Sequence, residues 1–297
     1  MAAGTSRWIV TGAGGLLGRD VVALLERTHG VDVRGYTHQD LDITDVAGLR
    51  REFVGADVVV NCAAWTDVDT AELHEKQARR VNGDGPAHVT VAAANNGAIT
   101  VHVSTDYVFD GHARTPYPEG TPTHPINAYG RGKEFGEQSV RRIWPEGSYV
   151  VRTSWLYGSH GGSFVRSMAD RALGYDTVEA VDDQTGAPTW SADVAAAILR
   201  LVRARAPFAT YHATAAGGAT RYELARAVFT ELGADPDRIR PVPSSRFPRP
   251  APRPAYTVLG HDRWAAVGVR PIRDWRDALR AAIPELIRDW GSQAGHP

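Results

Sequence analysis

Tyr129 and Lys133, in the stretch "YGRGK", have the types and the spacing to move a proton. Residues at i and i+4 share one face of a helix, and a proline-punctuated loop, "YPEGTPTHPINA", leads into this one. A free phenol titrates near pH 10 and is a poor acid–base group at neutrality. A cation within about 4–6 Å favours the phenolate and lowers that value by roughly 1–3 units, toward the range where proton transfer is efficient. The chain carries 33 Lys+Arg, yet Lys76 and Lys133 are its only lysines. A lysine at this position therefore suggests a need for a compact ammonium rather than a planar guanidinium. Thr105, where "AITVHVS" runs into "TDYVFDG", is delivered to a strand's carboxyl end, where sites form in open α/β sheets. By itself a tyrosine–lysine pair at this spacing describes an exposed helix face. Its place after a glycine turn and the Thr105 strand end gives it weight.

The glycine turn is "WIVTGAGGLLGRDVV", with Gly12, Gly15 and Gly18 three apart between a strand and a helix. Bare amides and the positive end of the helix suit a pyrophosphate there, and the missing Cβ atoms allow close approach. The bland alternative is a tight turn with no ligand. NAD selectivity usually needs an acid at the end of the second strand, whereas an arginine accommodates the extra phosphate of NADP. "RGYTHQD" places neither clearly, although His38 could lie near a 2′-phosphate, and Asp42 and Ile43 fall where the adenine would be lined. Either nicotinamide cofactor fits, with NADPH favoured over NADH.

These residues need a frame, and the apolar runs supply one. Residues 7–10, 31–36, 57–61, 98–104 and 148–153 are short, β-branched and bounded by turns, as buried strands are. Helical stretches alternate with them, including "LLGRDVVALLERTHG" and "PAHVTVAAANNG". Strict alternation predicts an α/β fold: a doubly wound parallel sheet with helices on both faces. Beyond residue 154 the pattern loosens, with helices expected at 162–173, 191–204, 220–232 and 273–290 and short strands at "TVEAV" and "TYHAT". The proline-rich 241–256 is expected to form no regular structure, and the tail "GSQAGHP" is of low complexity.

Bulk properties narrow the partners. A net charge of −1 over 297 residues gives no general attraction to nucleic acid or to an anionic membrane. No apolar run approaches the roughly 18 residues of a membrane span, and the N-terminus meets glycines before a signal-peptide core develops. Cys62 is the sole cysteine, which excludes an intrachain disulfide, and its apolar setting "DVVVNCAAW" reads as a buried, inert thiol. A reducing cytoplasm is the default location.

Six segments in order, "NCAAWTDVDTAE", "VSTDYVFDG", "NAYGRGK", "RTSWLYG", "DQTGAPT" and "RPAYTVL", together with the glycine turn, resemble the dTDP-4-dehydrorhamnose reductase family of extended short-chain dehydrogenases/reductases. The resemblance runs from the first strand to about residue 290. It implies a Rossmann-like dinucleotide-binding domain over 1–155 and a smaller, mainly substrate-binding portion over 156–297, interleaved with the first. It further implies NAD(P)H-dependent reduction of the C4 keto group of a dTDP-sugar, with Tyr129 as proton donor, Lys133 tuning it and holding the nicotinamide ribose, and Thr105 bonding O4. Gly12, Gly15, Leu16, Leu17 and Gly18 would meet the pyrophosphate, and Ala63, Ala64, Trp65 and Val103 would line the cofactor groove. Val68, Asp106, Tyr107 and Trp155 would shape the sugar pocket, and Arg253 would neutralise the diphosphate.

Some relatives hold a divalent metal between subunits. The segment after "GAPT" here carries only Asp193, so no metal is expected and a homodimer is left open. Asp69 and Glu72 read as a helix-capping box rather than metal ligands. Thr257 stands where the family often has serine, its methyl falling toward the diphosphate side. Two other readings remain: the same chemistry on a related sugar, of the dihydrostreptose synthase type, and a non-catalytic relative that keeps the fold as a regulatory binding module.

Overall fold

Five apolar runs become the strands of one parallel sheet. The structure, a computed structural model, describes residues 5–294. The strands are β1 (Ser6–Thr11), β2 (Val31–Tyr36), β3 (Val58–Asn61), β4 (Ile99–Thr105) and β5 (Ser148–Thr153). A sixth, Thr210–His212, comes from the second half of the chain and pairs with β5. The sheet order is Thr210–His212, β5, β4, β3, β1, β2, with every neighbouring pair parallel.

Side chains alternate across a strand, so a sheet covered on both faces buries both sets. Trp8 and Val10 of β1 enter one apolar cluster and Ile9 the other; Val58, Val60 and Val59 of β3 divide in the same way. Each such side chain contributes about 1.5–3 kcal/mol when fully buried. Helices α1 (Leu16–Glu26) and α8 (Ser191–Arg203) pack together on one face. On the other lie α2 (Val46–Glu52), α5 (Gly85–Ala94) and α6 (Ala128–Ile143). The chain leaves β1 toward β2 in one direction and crosses to β3 in the other, which opens a crevice at the carboxyl ends of β1 and β3.

Between β3 and α5, where the sequence suggested only a helix cap at Asp69 and Glu72, α3 (Val68–Leu73) and α4 (Glu75–Arg79) form, followed by a π turn at Arg80–Asp84. The turn aims Asn82, which is buried, back at the loop after β3. Its Oδ1 accepts from the Trp65 amide at 2.8 Å and its Nδ2 donates to the Trp65 carbonyl at 2.9 Å. The cap of α3 is Asp67, whose Oδ1 accepts from the amides of Asp69 and Thr70. The expected Asp69/Glu72 box is thus corrected. Asp69 pairs instead with Arg253, and Glu72 accepts from the Ala128 amide at 2.7 Å, tying α3 to the start of α6.

The second half supplies α7 (Phe164–Ala172), α8, α9 (Arg221–Glu231) and a C-terminal helix, Trp275–Ala294. Residues 291–294 of the low-complexity tail continue that helix, while 295–297, like 1–4, lie outside the described residues. The proline-rich segment departs from expectation at its start. Pro241 and Val242 belong to a strand, Ile239–Val242, that pairs in parallel with Val178–Val181. A two-stranded ribbon is all edge, so proline's missing N–H costs it little.

Beneath the carboxyl edge of the sheet runs a buried polar chain. Glu137 of α6 and Arg152 of β5 form a double hydrogen bond of 2.8 and 2.7 Å, and their side chains are 0% and 2% exposed. Arg152 reaches His212 Nε2 at 3.3 Å, and His212 Nδ1 lies 3.0 Å from the Gly260 carbonyl. Burial holds the His212 pKa well below its ordinary value, so the ring is neutral. Nε2 then accepts from Arg152 and Nδ1 donates to Gly260. Burial pushes the Glu137 carboxyl up, but Arg152 outweighs it and the net shift is downward.

Replacing Glu137 with Gln leaves the Arg152 charge buried without its partner, a loss of about 3–5 kcal/mol, measurable by urea unfolding at pH 7. Because the folded carboxyl titrates below its unfolded value, its contribution is present above about pH 4.5 and fades as pH falls through the lowered folded value. The gap between wild type and variant should close over that acid window.

Candidate active site

The groove begins where β1 hands over to α1. Gly12 adopts φ +71°, and a Cβ there would stand 2.5 Å from the Ala63 amide nitrogen, so the turn and the strand-three loop meet only across a glycine. Thr11 donates to Asn61 Oδ1 at 2.8 Å, and the same oxygen accepts from the Ala63 amide at 3.2 Å, locking the two strand ends together. No side chain caps α1, so its first amides are free to meet an anion.

A groove of about 550 Å³ runs from this turn to α6. Gly12, Gly15, Leu16, Leu17 and Gly18 line one end, Asp42 and Ile43 another, and Ala63, Ala64, Val103, Tyr129 and Lys133 the rest. The cradle of bare glycine backbone and uncapped amides fits a dinucleotide. Trp65, expected on this wall, lies off it: its indole N–H donates to Thr70 Oγ1 at 3.0 Å, and Thr66 lines the groove beside Ala64. His38 does line the groove. Asp40, the first acid after β2, accepts from both the amide and the hydroxyl of Thr37 at 2.9 and 2.6 Å. Its carboxylate is therefore already engaged. Cys62 lines the groove too, and burial pushes its thiol up to about 12; it is no nucleophile at neutral pH.

Asn127 caps α6 by accepting from the Gly130 amide at 2.8 Å, and its Nδ2 donates to the Pro252 carbonyl at 2.9 Å. That anchors Tyr129 in the first turn. The Tyr129 ring meets Tyr107 edge-on at 6.0 Å and hydrogen-bonds Thr105. Thr105 in turn donates to Asp106 Oδ1 at 3.0 Å and accepts from the Tyr107 amide at 3.2 Å. Lys133 is 2% exposed and donates to the Val103 carbonyl at 2.6 Å.

The electrostatics overturn one expectation. Burial raises the Tyr129 pKa far above its ordinary value; the Thr105 hydrogen bond lowers it and Asp106 raises it, but Lys133 has no resolved influence. Desolvation wins over any ammonium attraction in the protein alone. The same burial brings Lys133 down to about 8, against a pull upward from Glu137. Asp106 is lifted to about 6 by burial, with hydroxyl contacts from Thr257 and Thr105 acting the other way. Thr257, buried at 1% exposure, thus turns its hydroxyl to Asp106.

A second cavity, of about 750 Å³, opens on the other side of Tyr107. Leu156 lines both it and the groove, so the two spaces abut where Tyr107 and Tyr129 touch. Tyr107, Trp155 and Arg253 line it, whereas Val68, Thr105 and Asp106 line neither space directly. Arg253 is held by Asp69 at 3.0 Å and donates to the Ala251 carbonyl at 2.8 Å. Arg221, Phe164 and Phe247 also line it and were not singled out from the sequence. No motif marks them, and Arg221 is one among many scattered arginines. Among the described residues no group of three or more His, Cys, Asp or Glu is placed to hold a metal ion. Asp193 is engaged by Arg273 through two bonds of 2.8 and 2.9 Å.

Residues 6–288 match the RmlD substrate binding domain family. A dTDP-4-keto-6-deoxy-D-glucose reductase from Streptomyces niveus is 50% identical over 96% of this chain and 99% of its own. A dTDP-4-dehydrorhamnose reductase from Streptomyces griseus is 46% identical, covering 98% and 96%. The solved structure of dTDP-4-dehydrorhamnose reductase from Bacillus anthracis in complex with NADP superposes with a TM-score of 0.90 at 32% identity, covering 95% of this chain and 99% of that one.

Exchanging Lys133 for Met keeps the stem and removes the buried charge. The folded lysine binds protons more weakly than the unfolded one, so folding gains as pH rises from about 8 to about 10.5. The variant, which lacks that penalty, should be at least as stable as wild type at pH 7. Wild-type stability should gain on it, by up to about 3 kcal/mol, across that alkaline window. Its affinity for a reduced nicotinamide dinucleotide, read by fluorescence titration, should fall about tenfold or more through loss of a charged hydrogen bond. Wild-type affinity in the variant would remove Lys133 from the cofactor site.

Proposed function

The chain belongs to the RmlD substrate binding domain family, and we propose that it is an NADPH-dependent reductase that converts dTDP-4-dehydro-L-rhamnose to dTDP-L-rhamnose. One observation carries the reading: the Tyr129 phenol, hydrogen-bonded to Thr105, stands where the glycine-turn groove abuts the arginine-bearing cavity. Residues 1–155 supply most of the cofactor groove. Residues 156–297 supply most of the substrate cavity, to which Tyr107 also contributes.

When bound, NADPH supplies the hydride that reduces C4 of the sugar. Tyr129 gives its proton to O4, so the keto group leaves as an alcohol and the phenol is briefly a phenolate. Thr105 orients the phenol, and Lys133, released from the Val103 carbonyl, holds the nicotinamide ribose and stabilises the phenolate. The uncapped amides after Gly15 receive the pyrophosphate. Asp42 and Ile43 flank the adenine. Tyr107 and Trp155 shape the sugar site, with Arg253 on its phosphate side. Asp40, the first acid after β2, is already engaged by Thr37, and His38 lines the groove where a 2′-phosphate would lie, which supports NADPH over NADH.

The test is a coupled assay of dTDP-4-dehydro-L-rhamnose, and separately of dTDP-4-keto-6-deoxy-D-glucose, with each reduced cofactor. Turnover of the rhamnose precursor with NADPH is expected to exceed the other combinations. Tyr129→Phe should lower kcat by about 10²–10⁴-fold while the NADPH dissociation constant stays within twofold of wild type. A variant that retains wild-type kcat removes the phenol from the chemistry.

A further inference from the structure

Arg221 opens α9 and sits between two rings, its guanidinium carbon 3.5 Å from the centroid of Trp155 and 5.1 Å from that of Phe164. Among the described residues it takes part in no hydrogen bond or ion pair with any side chain. The other arginines on the cavity wall differ. Arg253 and Arg249 both lean on Asp69, at 3.0 and 3.6 Å, and Arg171 is open to solvent. Among the described residues Arg221 is therefore the partly buried cation of the cavity wall with no salt bridge, its nearest carboxylate influence being the longer-range one of Asp106. Stacking engages the face of a guanidinium and leaves its edge, with five N–H donors, uncommitted.

The stack is built at a cost. Trp155 holds φ +43°, a left-handed conformation that a bulky L-residue rarely adopts. Strain of this kind persists only where its surroundings impose it, and it clusters at ligand sites. Behind the indole, a Cβ on Gly186 would come within 2.4 Å of the ring, so glycine is needed for Trp155 to present its face to Arg221. Strained backbone, glycine backing and two aromatic plates all serve to hold one guanidinium at the cavity wall.

We propose that Arg221 is the principal residue receiving the diphosphate of the nucleotide sugar, and that Trp155 acts through it as a positioning residue. The proposal rests on the nucleotide-sugar reading above and shifts the main phosphate contact from Arg253 to Arg221. Arg253 must share its charge with Asp69, whereas Arg221 has no salt-bridge partner and only the longer-range field of Asp106, so an entering diphosphate would be its first direct ion pair. A planar fork matches phosphate oxygens two at a time, which a lysine ammonium does not.

Calorimetric titration with dTDP tests this on the full chain. Arg221→Ala should weaken dTDP about 30-fold or more, and Arg221→Lys about tenfold, with NADPH affinity within twofold of wild type in both. The KM for the sugar nucleotide should rise in step while kcat changes little. Trp155→Ala should weaken dTDP in the same direction, and adding it to Arg221→Ala should bring little further loss, since both act through one contact. Wild-type dTDP affinity in both Arg221 variants overturns the inference and leaves the reductase reading intact. Wild-type protein that binds no dTDP overturns both. Should Arg221→Ala fail to bind NADPH and so prove misfolded, the Arg221→Lys titration decides alone.

Discussion

Two cations shielded from water without an ion pair, Lys133 and Arg221, govern the design of this molecule. Placing a charge in a low-dielectric setting costs several kcal/mol unless a partner offsets it. Burial brings the lysine down to about 8 and the arginine to about 10. A chain that needed only stability would have put apolar side chains at both places. Each cation instead faces one of two abutting spaces, and the fold supplies each with a substitute for water. Lys133 has the Val103 carbonyl, and Arg221 has two aromatic faces. Both substitutes are weaker than a carboxylate, so a ligand with negative charge or free hydroxyls can displace them.

The sheet makes that arrangement affordable. Its two faces bury nearly continuous Val, Ile and Ala surface, and its carboxyl edge rests on the Glu137–Arg152–His212 chain. Glu137 follows Lys133 by one turn of α6, so the ion pair that fixes α6 to β5 also fixes the helix that carries the reactive pair. The strand Thr210–His212, drawn from the second half of the chain, completes this base.

Much of this was legible in sequence because it depends on short-range periodicity. The strands fell where β-branched runs predicted them, and helices formed at 164–172, 191–203 and 221–231, within the stretches expected to be helical. The groove was legible through its glycines. What escaped depends on contacts distant in sequence. The π turn at Arg80–Asp84 exists to aim Asn82 at Trp65, seventeen residues away. Asp69 was read as a local cap, but its partner Arg253 lies far along the chain. Arg221 acquires meaning only once Trp155, Phe164 and Gly186 surround it. Spacing put Tyr129 and Lys133 on one helix face, but the sign of the phenol's net shift is set by desolvation, which spacing does not report.

That sign bears on the direction of the chemistry. Burial keeps the Tyr129 phenol protonated until a strong base appears beside it. A newly formed sugar oxyanion is such a base, and it takes the Tyr129 proton as the alcohol forms. The reverse reaction would need Tyr129 ionised before an alcohol is oxidised, and burial opposes that state at neutral pH. Lys133 matters after the transfer, when a phenolate sits one helical turn away and the ammonium gains a charge to stabilise. Desolvation thus keeps the proton on Tyr129 until the oxyanion appears, and the ammonium is most effective once the proton has gone.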